Sequence, residues 1–166
     1  SLQSTLEVKS IDKTKIISSI LTENFPVVST FYQLNEGMDV EVSFSYTEAH
    51  SEIINLSIED ALINSNYAIG ENSIFPQNNL IISEPQIFRG LIVRQITFIP
   101  FTYNMKTGEL TILNDVQLDI NQVSRNLDVD YRNLKLSRAF EPLYESLIVN
   151  YERSTREEDY QPPSIL

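Results

Sequence analysis

The residues best suited to chemistry are few and poorly placed for it. The 166-residue chain has no cysteine and a single histidine, His50. Cysteine nucleophiles, disulfides, thiolate metal sites and multi-histidine metal sites are thereby excluded. His50 lies in the polar stretch TEAHSE, where an exposed loop position is expected. No Gly-x-Ser-x-Gly elbow and no glycine-rich phosphate loop is present to complete a hydrolase or nucleotide site. Glu59 and Asp60 are adjacent, so on a strand or turn their carboxylates point apart and make a poor acid/base pair. Asp128 and Asp130 would share one strand face, but an isolated Asp-x-Asp lacks the further oxygen ligands of a calcium loop, and Asp115 with Asp119 is no better. Arg89 and Arg94 have no carboxylate motif beside them. These residues predict no catalytic group, no metal and no cofactor, and leave an acidic binding or accessory domain.

Charge decides which partners are admissible. The net charge is −11, the wrong sign for the basic footprint that nucleic acid requires. Residues 16–88 carry ten acids (Glu23, Glu36, Asp39, Glu41, Glu48, Glu52, Glu59, Asp60, Glu71, Glu84) and no Lys or Arg, so all twelve basic residues lie outside that window. Such a window is either a solvated face or a surface for a cationic partner. No apolar run approaches the roughly 18 residues of a membrane span. No cationic leader with an apolar segment precedes Ser1, so a secretion signal is expected to have been removed or never present.

The elements that must carry these side chains read mainly as strands. Eight Tyr and eight Phe against four Gly favour a pleated, half-buried fold, and the length fits one domain. Residues 1–10 are expected as a frayed end or an edge strand, and KIISSIL (15–21) is ambiguous. Pro26 places the following run at a strand start. In MDVEVSFSYTE, Val40, Val42, Phe44 and Tyr46 alternate with polar residues, Asp39 among them, which predicts a strand with one wet face. Ile54, Leu56 and Ile58 alternate like a strand, while SIEDAL could open a helical turn capped by Ser57. From Leu91 to Tyr103 apolar residues occupy both parities, as in a central strand covered on both sides. Pro100 predicts a bulge or a change of sheet, NMKTG a turn with Asn104 tolerating left-handed backbone and Gly108 at positive φ, and residues 109–120 the returning strand of one long hairpin with a second break at Asn114–Asp115. Phe140, Leu143, Leu147 and Tyr151, with Tyr144 and Ile148 beside them, predict a helix over about 138–151, capped by Ser137 and carrying Pro142 in its first turn. The fold class expected is all-β, an antiparallel β-sandwich of jelly-roll-like type with a short C-terminal helix. Residues 152–166 read as a linker, and the closing SIL as the approach to a further domain.

EPQIFRGLIVRQITFIPFTYNMKTGELTILNDVQLDI resembles the signature segment of the N-terminal propeptides of gingipain-type cysteine peptidases, through Pro85, Phe88, Arg89, Pro100, Tyr103, Asn104, Thr107 and Leu110. Met105 stands where that family often has Pro. NFPVVSTFYQLNEGMDVEVSF and AFEPLYESLIVNY resemble the family's earlier strands and its C-terminal helix, in the same order, and YQPPSIL resembles the junction to a caspase-like catalytic domain. The resemblance covers the chain from about Asn24 onward. It implies an all-β propeptide over residues 1–151, a linker over 152–166 leading to the catalytic domain, and a non-catalytic role in folding that domain and holding it latent. The implied partner is that caspase-like cysteine peptidase domain of the same precursor. The implied setting is secretion or display at the cell surface, through the periplasm of a Gram-negative bacterium of the Bacteroidetes type, by type IX secretion. Family members block their peptidase with a basic residue from a loop before the hairpin. The corresponding region here, about 57–70, contains no Lys or Arg. That leaves a peptidase of other specificity, inhibition by another segment, or a prodomain that no longer inhibits. The inhibitory segment is expected at Asp60, Ala61, Leu62, Ile63, Asn64, Ser65 and Asn66, acting by steric occupation of the cleft, with processing by a trypsin-like enzyme at Arg153 or Arg156. Arg89 is expected on a strand with a structural ion pair. The competing class is an extracellular β-sandwich module for adhesion or carbohydrate binding, which the absence of Trp disfavours.

Overall fold

The computed structural model describes residues 3–162. The closing SIL, expected to lead toward a further domain, lies outside the described residues. In chain order the elements are β1 (Gln3–Val8), α1 (Lys13–Leu21), β2 (Val28–Gln33), β3 (Met38–Ser45), β4 (Glu48–Ile53), α2 (Glu59–Ile63), β5 (Ile74–Phe75), β6 (Leu80–Ile82), β7 (Gln86–Phe88), β8 (Leu91–Phe98), β9 (Phe101–Asn104), β10 (Glu109–Asn114), β11 (Val116–Ser124) and α3 (Glu141–Leu147). The strands form three antiparallel sheets, ordered β1-β11-β3, β2-β8-β6 with β7 also on β8, and β4-β10-β9-β5.

The run 91–124 threads all three. β8 lies in the second sheet, Pro100 interrupts it, and β9 continues in the third. β10 returns beside β9, the chain turns at Asp115 with φ +53°, and β11 enters the first sheet. The expected change of sheet at Pro100 and the second break are both present. The expected long hairpin is not: only β9 and β10 pair, and their extensions diverge into opposing sheets. The two break points face each other, the Leu113 N–H donating to the Pro100 carbonyl (2.9 Å). One break in one strand would cost a ladder; two in register let both arms leave together.

That divergence builds the sandwich. Ile92, Ile96 and Phe98 of β8 meet Leu118 and Ile120 of β11 in one buried cluster. Leu91 and Val93, on the other face of β8, meet Leu136, Tyr144, Ile148 and Tyr160. β8 is thus covered on both sides, as its double-parity pattern requires. The third sheet buries Phe101, Tyr103, Leu110 and Ile112 against Ile16, Ile17 and Ile20 of α1 and Leu62 of α2.

Several local expectations are revised. Residues 15–21 are helical because Asp12 caps the Lys15 N–H (2.9 Å) and Ile16, Ile17 and Ile20 fall on one face. The strand expected at 54–58 lies earlier, as β4, an exposed edge whose sequence EAHSEI has no apolar alternation to betray it. Ser57 does not cap α2; Ile58 holds that position, and Ser57 donates instead to the Glu59 carboxylate (3.2 Å). Asn104 is not left-handed; its side-chain oxygen accepts the Lys106 and Thr107 N–H groups (2.9 and 3.2 Å), while Gly108 takes φ +77° as expected. Asp39, expected on the wet face, is 2% exposed.

The C-terminal helix is shorter than expected, a 3-10 turn at Arg138–Phe140 followed by α3, with Pro142 in the first turn and no side-chain cap from Ser137. Its buried side is Glu141, Tyr144 and Ile148, not the Leu143 and Leu147 stripe, both of which are exposed. Beyond Leu147 the chain is captured by β2. Val149 N–H donates to Phe31 (2.9 Å), and the Asn150 amide brackets the Gln33 backbone (2.7 and 3.0 Å).

Candidate functional site

The segment expected to carry inhibition, 60–66, is helix α2 and the turn after it. Leu62 and Ile58 are fully buried and anchor it beneath α1. The turn is closed by the Asn64 N–H to the Asp60 carbonyl (3.0 Å) and by the Ser65 hydroxyl to the Leu62 carbonyl (2.7 Å). Glu59 ties the helix to the third sheet by accepting the Tyr103 hydroxyl (3.0 Å). Its own backbone N–H, then Tyr103, hold the Glu59 carboxyl below the usual range; burial, then Glu59, pushes the Tyr103 phenol up. Leu62, expected to face a partner, is a core residue and is unavailable to one. Asp60, Ile63, Asn64 and Asn66 are exposed, and Ala61 and Ser65 are half-buried.

Beside α2 lies a groove of about 580 Å³ between α1 and the segment 52–56, with Ile17, Leu21, Ile53 and Leu56 among its lining residues. Leu21, Ile53 and Leu56 are each more than half exposed, as is Ile63 on α2. Leu21 also lines a second hollow with Ala61, Asn64, Ser65 and Asn66. The one cation at the groove, Lys13, is held by Glu52 (2.5 Å). Lys13, then His50, lowers the Glu52 carboxyl. His50 is exposed, as expected, but on strand β4 rather than in a loop. This face offers apolar side chains and neutral amides, with Lys13 paired to Glu52 at its margin, which is the chemistry of a protein contact.

The processing candidates lie at the opposite end of the chain. Arg153 pairs with Glu145 (2.9 Å), and Arg156 with Asp159 (2.8 Å) and Glu158 (3.4 Å). Both arginines are well exposed. Residues 152–162 follow the surface and are held at Tyr160, which is 5% exposed.

The signature positions are structural. Pro100 marks the change of sheet, Tyr103 holds α2, and Asn104 closes the β9–β10 turn. Arg89 lies in a turn rather than on a strand, and among the described residues it has no ion pair. It sits at φ +49° in the two-residue turn between β7 and β8, its guanidinium 4.3 Å from the Phe140 ring centre. Gly90 completes that turn at φ +88°, the double positive φ of a type I′ hairpin.

Sequence reasoning missed the Asp39 centre. Arg94 donates to Asp39 through Nε and Nη2 (2.8 and 3.2 Å), and Arg125 through Nη1 (2.8 Å). Burial alone would raise the Asp39 carboxyl; the hydrogen bonds from Arg94, the Val40 backbone and Arg125 outweigh it and hold the group low. The partners are 55 and 86 residues away, so no local motif announces them. Asp130 pairs with Arg132 (3.0 Å), Asp115 accepts from Thr47 (2.9 Å) and Asp119 accepts from Gln117 (2.9 Å). Among the described residues no cluster of three metal-ligating side chains occurs.

Comparison with known proteins agrees with this architecture. The Propeptide_C25 family model matches residues 54–157. The solved complex of the pro- and mature domains of RgpB from Porphyromonas gingivalis is similar, with a TM-score of 0.51 and 20% identity over 76% of this chain and 71% of that one. A structure addressing the zymogenic latency of gingipain K from the same organism is similar at a TM-score of 0.44 and 11% identity, over 59% of this chain and 63% of that one. At 20% identity the first likeness speaks for the fold, the mostly antiparallel β-sandwich with a short C-terminal helix. No curated protein matches the chain.

Proposed function

The chain belongs to the Propeptide_C25 family, and from that premise we propose that it is the latency domain of a gingipain-type cysteine peptidase. It carries no catalysis of its own. It assists folding of the caspase-like domain that follows in the same precursor and holds that domain inactive. In this reading residues 1–151 are the propeptide and 152–166 the connection to the peptidase, cleaved at Arg153 or Arg156. The precursor is exported to the cell surface or medium by a Gram-negative bacterium of the Bacteroidetes type, through type IX secretion.

The observation that carries the reading is the exposed apolar face of α1, β4 and α2. Leu21, Ile53 and Leu56 lie open beside a segment that projects Asp60, Ile63, Asn64 and Asn66. Exposed apolar side chains gathered at a groove mark a surface that another protein covers. Residues 16–88 contain no Lys or Arg, and Lys13 of α1 is held by Glu52, so the segment 52–66 itself offers no cationic side chain to a specificity pocket. Inhibition is steric. The segment lies across the cleft and excludes substrate without offering a cleavable basic residue.

The experiment adds this chain in trans to the separately expressed peptidase domain and follows hydrolysis of a peptide substrate. Expected is a stable complex with hydrolysis suppressed at stoichiometric chain, and relief of suppression by Leu56→Arg. A complex without loss of activity would leave only the folding role, and no complex would remove both.

A further inference from the structure

Tyr151 and Tyr160 bracket residues 152–159, and both hydroxyls donate to one buried carboxylate: Tyr151 to Glu141 Oε2 (2.8 Å) and Tyr160 to Glu141 Oε1. Glu141 is 6% exposed. The residues between stand over polar hollows, one of about 700 Å³ lined by Gln33, Asn35, Gln122 and the chain from Glu152 to Arg156. They form a loop closed at its neck by Glu141 and tied within its span by Ser154 and Arg156 to Asp159.

We propose that this loop is a clasped cleavage site, at which hydrolysis after Arg153 or Arg156 cuts the chain without releasing the segment downstream. A trypsin-like protease adds water across the Arg–Ser or Arg–Glu peptide bond, giving one new carboxylate and one new ammonium. Ser154 and Arg156 bond Asp159 from within the loop, but the bonds that hold residues 157–161 to the body of the domain do not run through the cut. Leu136 N–H donates to the Asp159 carbonyl and Gln161 N–H to the Leu136 carbonyl, both at 2.8 Å. Lys135 Nζ donates to the Glu158 carbonyl (2.5 Å) and Arg138 to the Glu157 carboxylate (2.7 Å). The Arg138 guanidinium covers the Tyr160 ring at 4.0 Å, and the Tyr160 hydroxyl reaches Glu141 from within the Leu91–Val93–Tyr144 cluster. The partner of this socket is therefore a short acidic segment ending in tyrosine, Glu-Glu-Asp-Tyr, supplied by the same chain. The inference goes beyond the latency reading and does not depend on it, because it concerns only contacts within this chain.

The test is limited trypsin digestion of the full chain, with each cut product weighed under denaturing and native conditions. Expected are products cut after Arg153 or Arg156 that split when denatured yet keep the intact mass when native. Tyr160→Ala should shed the tail at least about tenfold faster, as loss of a buried hydrogen-bonded aromatic would require. Tyr160→Phe, which keeps the ring, should fall between and serves if the alanine variant fails to fold. No cut after either arginine, or tail loss from the parent chain as fast as from Tyr160→Phe, would overturn the proposal.

Discussion

Asp39 and Glu141 are the two acidic side chains that the described residues bury, and they are accommodated in opposite ways. Asp39 sits on β3 of the first sheet and takes charged hydrogen bonds from Arg94 on β8 of the second and from Arg125 just past β11. Arg94 also donates to the Ser83 carbonyl (2.8 Å), so the centre joins elements remote in sequence at one edge of the sandwich. Glu141 is met chiefly by two neutral phenols, with Arg153 Nε at 3.6 Å. Its tyrosines come from the last described residues, not from the sheets. One carboxylate fastens the body of the domain; the other fastens a loop onto it. A buried charge matched by charge is costly to break, whereas one matched by hydroxyls can be neutralised by substitution with less loss.

The largest effect expected from this contrast is at Asp39. Asp39→Ala leaves Arg94, itself mostly buried, without its carboxylate, and urea unfolding should show a loss of about 3–5 kcal/mol. A loss below about 1 kcal/mol would equate the two sites. The pH dependence follows from the depressed Asp39 carboxyl. Its contribution is fully present above its unfolded value, about 3.9, and is lost as pH falls through the lower folded value. The acid limb of stability should therefore be shallower in Asp39→Asn than in the parent chain.

Gly90 joins the two regions. A Cβ there would approach the Lys135 carbonyl oxygen to 2.1 Å, at a residue whose φ is already positive. Gly90→Ala should cost about 2 kcal/mol and speed amide exchange at 135–136 and 159–161 before the sandwich loosens. Exchange that rises in β3 and β11 first would show the tail and body to be one unit.

Glu141→Gln keeps a carbonyl acceptor for one phenol and presents an amide donor to the oxygen of the other. It should change global unfolding by about 1 kcal/mol or less while exchange at 157–161 accelerates. Burial, then the bond to Glu141, pushes the Tyr151 and Tyr160 phenols above their ordinary value. Their contribution is present below about pH 10 and is lost as pH rises through the folded values. Loop opening should therefore appear on the alkaline side, where the Asp39 centre is indifferent.

The central strands were legible because their residues alternate or fill both parities within one window, as from Leu91 to Phe98. Pro100 announced the change of sheet by removing a donor. β4 was not legible, since an exposed edge imposes no apolar pattern on EAHSEI. The helix stripe was misassigned because helical spacing alone does not say which of two adjacent faces is inside. The choice fell to Tyr144, which is held by the Arg89 carbonyl, 55 residues away in sequence. At the candidate site Leu62, within the segment 60–66, is a core residue. A short amphipathic helix must bury one residue to dock at all, and which one depends on α1, itself ambiguous in the sequence. The clasp was invisible because YERSTREEDY has the composition of a linker, and its anchoring partner, Glu141, is a residue type that is rarely buried.

The account rests on which face meets the peptidase. Hydrogen–deuterium exchange of this chain, alone and bound to the peptidase domain of its precursor, measures that directly. New protection concentrated at 17–22 and 52–66, with the β1-β11-β3 sheet unchanged, is the predicted result. Protection of that sheet with 52–66 left exchanging freely would contradict it.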